Sequence, residues 1–195
     1  MGPEFESLRG HFFYFFMKKT LTIFIFLLFT HVINAQVIIT DSIKLKIRQE
    51  VEKESVDFKQ TLSKEKDDKN LNQFMLDTFK IEKTMAKTMD IDYSTHGMLN
   101  AIHDAADSYD KLMNIYYQIL MKSLKPADKI VLTNAQKAWL KYRDAEKELI
   151  IKVNGEDYTG GGTMYQLIMN SLFLDRIQKR AIELFMFYND IVIKN

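Results

Sequence analysis

The stretch MLNAIHDAADSYDKLMNIYYQILMKSLKP, residues 98–126, decides the fold. Ala105, Tyr109, Leu112, Met113, Tyr116, Tyr117 and Leu120 recur at three- and four-residue steps, which puts them on one side of a helix from about Met98 to Leu124. Pro126 cannot continue that helix, but its fixed φ suits the first turn of the next one.

Downstream, a helix from Pro126 to about Val153 carries Ile130, Leu132, Ala135, Trp139, Tyr142 and Leu149 as its expected apolar side. The loop Asn154-Gly155-Glu156-Asp157-Tyr158-Thr159-Gly160-Gly161-Gly162 holds four glycines in nine residues and is expected to leave the helical state. Thr163 and Gln166 have capping-box spacing, so the last helix starts there and carries Leu167, Leu172, Leu174, Ile177, Ala181, Leu184 and Phe185 toward Tyr188.

Upstream, Asn70 is the expected N-cap of a helix through Leu71, Phe74, Met75, Phe79, Met85 and Met89, and Asp90 to Gly97 ends it with turn-forming residues. From Asp41 to about Lys64, Ile47, Val51, Phe58 and Leu62 give one narrow apolar stripe, followed by the wholly charged run Lys64 to Lys69. Apart from Val37-Ile38-Ile39 no strand pattern appears, nor any internal repeat. The expectation is an all-α antiparallel bundle of about five helices.

The N-terminus reads as an export signal. Met17-Lys18-Lys19 precedes the apolar run Leu21 to Phe29, and Ala35 suits the position before a signal-peptidase cut. Residues 17–35 are thus the expected signal peptide, and residues 1–16 a cloning-derived or misassigned-start extension. Joining His11–Phe16 to the later run as one anchor would bury Lys18 and Lys19 in the bilayer, at about 2.5–3.5 kcal/mol each. The rest divides into an amphipathic helix with its charged break at 36–69 and a helical domain at 70–190. A periplasmic or secreted location follows, with no stable membrane anchor once the signal is cleaved.

Without Arg9, Lys18 and Lys19 the 27 basic residues fall to 24, and without Glu4 and Glu6 the 26 acidic ones fall to 24 as well. A net charge of zero argues against general nucleic-acid binding. The chain has no cysteine, which excludes disulfides, a lipid-bearing cysteine, thiol catalysis and iron–sulfur clusters.

Little in the sequence points to catalysis or metal binding. His96, His103 and Asp107 offer too few ligands, Met85 and Met89 read as core filler rather than a Cu(I) site, and no cofactor is expected. Asp144, Glu146 and Glu148 alternate with other residues like a solvated helix face. No nucleophile-elbow or nucleotide-binding glycine motif is present, and the expectation is a non-enzyme.

Two linked patterns remain. Tyr109 to Tyr117 contains Asp110, Met113, Asn114 and Tyr117, and the run Ala135 to Glu146 contains Gln136, Trp139, Arg143 and Asp144. In order and spacing they resemble the LprI-like lysozyme-inhibitor domain, whose pattern is Asp-x-x-Leu-Asn-x-x-Tyr followed by Ala-Gln-x-x-Trp-x-x-x-Arg-Asp. The resemblance covers roughly residues 74–187. It implies an exported, helical, non-catalytic protein that binds a lysozyme or other peptidoglycan hydrolase. Many relatives carry cysteines near the positions of Ala101, Lys147 and Leu172, so a family disulfide is lost here. The expected partner-binding residues are Glu156, Asp157, Tyr158, Thr159, Gly160, Gly161 and Gly162, because a loop with acidic and hydroxyl groups can enter a cationic cleft. Asp110, Asn114, Tyr117, Gln136, Trp139, Arg143 and Asp144 are read as architectural, with Arg143 pairing to a neighbouring carboxylate such as Asp110. The alternative is an envelope assembly module that uses the 41–64 helix as a docking arm.

Overall fold

The computed structural model describes residues 38–65 and 68–194. The expected extension at 1–16 and signal peptide at 17–35 lie outside the described residues. Among those described, all regular structure is helical: α1 (Asp41–Glu65), α2 (Lys69–Ile91), α3 (Thr95–Ser123), α4 (Pro126–Val153), α5 (Glu156–Thr159) and α6 (Thr163–Lys194). The sixth helix beyond the expected five is α5, a single turn inside the glycine loop. Residues 36–195 form one compact unit.

Helix boundaries follow capping chemistry. Asp68, not Asn70, caps α2, since its carboxylate accepts from the Leu71 N–H at 2.9 Å. Ser94 caps α3 by accepting from the Gly97 N–H at 3.0 Å, so the helix begins at Thr95 rather than Met98 and takes Gly97 into its first turn. A Cβ at Gly97 would overlap the carboxylate of buried Asp92, which itself accepts from the Ser94 N–H and hydroxyl. Glycine is required there by close approach, not by the turn alone.

Partner numbering fixes the packing directions. Phe74 meets Tyr116 and Glu82 meets Tyr109, so α2 and α3 run antiparallel. Asp110 pairs with Arg143 and Tyr117 with Thr133, so α3 and α4 do too. Between α3 and α6 the numbers rise together, His103 with Asn170, Tyr109 with Gln178 and Tyr116 with Phe185. The central pair α3/α6 is therefore parallel, an exception to the antiparallel arrangement expected from short connections.

The core lies among α2, α3 and α6. Phe74 stacks on Phe185 with ring centroids 4.2 Å apart, and the Tyr116 ring meets both edge-on. Ala105, Tyr109, Leu112, Met113, Tyr116 and Leu120 are buried as expected and Tyr117 is half-buried, whereas Leu172 of α6 is exposed. Inside this core the Tyr109 hydroxyl donates to Glu82 at 3.0 Å and accepts from Gln178 at 3.0 Å. Burial first, and then the charge of Glu82, push that phenol well above the usual tyrosine range.

α1 lies along α2. Ile47, Val51, Ser55 and Leu62 are buried, Phe58 stacks on Phe79 at 4.3 Å, and Glu50, Glu52 and Glu54 face Lys80, Lys83 and Lys87 in a ladder of ion pairs. No helix of the described residues is long and apolar enough to cross a membrane.

Candidate functional site

Of the expected apolar side of α4, Leu132 and Trp139 face the body and the rest turns outward. Ile130, Val131, Ala135, Tyr142 and Leu149 are exposed. The side facing the body is Leu132, Gln136, Trp139, Arg143, Glu146 and Ile150, a heptad seam with a largely polar middle. Its polar groups are matched across the interface. Arg180 of α6 donates from Nε to Gln136 Oε1 at 3.0 Å, and Arg176 donates from Nε to Glu146 at 3.1 Å. Trp139 is only half-buried, with the guanidiniums of Arg143 and Arg180 at 5.6 and 5.8 Å from its ring. Hydrophobic periodicity finds only part of the inner side here because cation–π contacts and charged hydrogen bonds hold this helix.

The residues read as a family motif meet along that seam. Arg143 reaches Asp110 at 3.8 Å and donates to Asp144 at 2.9 Å, and Asn114 donates to Asp110 at 3.1 Å. Tyr117 and Thr133 hydroxyls lie 3.4 Å apart. Glu146 does not belong to a solvated face: it is half-buried, and its hydrogen bond holds the Arg176 guanidinium above its usual pKa range. Sequence reasoning assigns no role to Gln178 or Arg180, although both lie at α6 positions adjoining the apolar stripe.

Beyond the seam, α4 ends at Asn154 and the chain turns back into α6. Contrary to expectation the loop retains one helical turn, because glycine is confined to its flanks: Gly155 precedes it, and Gly160 closes it by donating to the Glu156 carbonyl at 3.0 Å. Thr159 pins this turn from within. Its hydroxyl lies 3.0 Å from the Gly155 carbonyl and accepts from the Gly161 N–H at 3.2 Å. Gly160, Gly161 and Gly162 have φ of 75°, 77° and 112°, a run of left-handed backbone that residues with a Cβ resist.

With the backbone fixed this way, Glu156, Asp157 and Tyr158 point outward. Tyr158 is 69% exposed, and Asp157 meets Lys152 at 2.7 Å, both in water. Behind the loop, α3, α4 and α6 leave a groove of about 340 Å³ whose lining includes His103, Asp107, Lys147, Ile150, Asn170 and Phe173. His103 Nε2 is 2.7 Å from Asn170 Oδ1, and Lys147 Nζ stands 4.9 Å from the Phe173 ring centre. Among the described residues no group of three or more His, Asp or Glu is placed to hold a metal ion.

Fold and loop together define an all-helical scaffold that displays one pinned polar turn outside its packed core. The family model for the lysozyme inhibitor LprI matches residues 85–184. The chain belongs to that family. The match runs from the second half of α2 to Leu184 of α6, so it takes in the seam, the loop and the groove and leaves out α1. No curated protein and no solved structure matches the chain.

Proposed function

We propose that this family member is an exported, non-catalytic inhibitor that blocks a peptidoglycan-cleaving enzyme by placing the Glu156–Thr159 turn in the enzyme's cleft. The observation that carries this reading is the exposed Tyr158 on a turn that the Thr159 hydroxyl ties to the Gly155 carbonyl before it and to the Gly161 N–H after it. A turn held in one shape loses less conformational freedom on binding. An exposed tyrosine supplies a large amphipathic anchor of the kind that dominates interface energetics. Glu156 and Asp157 add negative charge, which steers the turn toward a cationic cleft. The Lys152–Asp157 pair is largely exposed and contributes little, so a partner's cation can replace Lys152.

The test is a wall-lysis assay in which residues 36–195 are added to a panel of lysozymes. Slower lysis supports inhibition, and faster lysis would show a hydrolase instead. The docking-arm alternative has less to stand on, because the apolar stripe of α1 is already buried against α2.

A further inference from the structure

α4 carries a second seam about a quarter turn from the one that faces the body. Val131, Ala135, Ala138, Tyr142, Ala145 and Leu149 follow one another in alternating steps of four and three. All are apolar and all are exposed, with Val131 at 67%, Tyr142 at 53% and Leu149 at 54%. Heptad spacing sustained on a water-facing surface is the pattern of a helix-pairing seam. At 1.5 Å per residue it extends for about 27 Å.

The seam matches itself in one orientation. Set two copies of α4 antiparallel with Tyr142 opposite Ala145 of the second copy, and Ala138 falls opposite Leu149 of the second copy. Tyr142 and Leu149 then each meet an alanine and the two-fold axis repeats both pairs, while Val131 and Ala135 lie beyond the stretch that pairs with itself. The same register brings exposed Lys141 beside exposed Glu148 of the second copy, twice per dimer. A parallel pairing would instead stack Tyr142 on its own counterpart and leave alanine against alanine. Shape and charge select the same arrangement, and both call for this chain's own sequence on the other side. We propose that the outer seam of α4 is an antiparallel homodimer interface. It stands independently of the inhibitor reading.

Sedimentation velocity on residues 36–195, the compact unit, at concentrations up to about 0.2 mM should show a monomer–dimer equilibrium with micromolar affinity. Ala138→Glu, at an exposed position, should leave the helical melting curve unchanged and abolish the dimer. Lys141→Glu and Glu148→Lys should each weaken it about tenfold, as two attractive contacts become repulsive. The double exchange Lys141→Glu/Glu148→Lys should restore it. A chain that stays monomeric throughout would overturn the proposal, as would a dimer indifferent to these changes. Protection of the seam from hydrogen exchange only when a lysozyme is added would also overturn it, by assigning the stripe to that partner.

Discussion

Gly97 and Tyr109 show how single positions are fixed by what comes back to meet them. An added methyl at Gly97 overlaps the Asp92 carboxylate, which is held in place by Ser94. Gly97→Ala should therefore lower unfolding free energy by about 1–3 kcal/mol, read from the urea midpoint. Tyr109→Phe removes the hydroxyl that joins Glu82 to Gln178 across three helices, and should cost about 1–3 kcal/mol in the same measurement. In the sequence, Tyr109 was legible as a core residue from its place in the stripe. Its bonding role was not, because Gln178 lies far along the chain and carries no periodic signal. Gly97 was legible only as a turn former, since the buried Asp92 beneath it depends on a hydrogen-bonded cap rather than on composition.

Among the elements, α3 was the most readable because a central helix buries a continuous apolar stripe, and α4 the least because its inner face is polar. Its attachment rests on Gln136, Trp139 and Glu146 meeting Arg176 and Arg180. Arg180→Ala leaves Gln136 without that donor and uncovers one side of the chain's single tryptophan. It should cost about 2 kcal/mol, and the change in Trp139 fluorescence should precede global loss of helicity on denaturation. The α1–α2 ladder predicts a pH dependence. Hydrogen bonds from Lys80 to Glu52 and from Lys87 to Glu54 hold both carboxyls below the ordinary value of 4.5, and the same contacts raise Lys87 above 10.5. Depressed carboxyl values mean stabilisation that is present above pH 4.5 and lost as pH falls through the lowered values. The raised lysine contributes below pH 10.5 and loses its share as pH rises through its own raised value. Protection factors along α1, taken relative to the intrinsic exchange rate at each pH, should therefore fall below about pH 4.5, and at neutral pH in high salt, before α3 and α6 lose protection.

At the scale of the whole molecule, a parallel α3/α6 pair is flanked by antiparallel α2 and α4, with the pinned turn between α4 and α6. The all-helical class was readable from periodicity. The parallel central pair was not, because connection lengths describe only sequential neighbours. The loop was found by its glycines, but its retained turn depends on Thr159 bonding backward, which glycine content conceals. The Arg176–Glu146 bond is a non-covalent brace for the loop's two supporting helices. The central claim, that the Glu156–Thr159 turn binds the target enzyme, is tested most directly by titrating residues 36–195 and the Glu156→Ala/Asp157→Ala/Tyr158→Ala variant against a susceptible lysozyme by calorimetry. The account predicts binding by the wild type, at least tenfold weaker binding by the variant, and matched melting curves, since all three side chains are exposed. Equal affinity in the two proteins, or no binding of the wild type to any lysozyme tried, would contradict it.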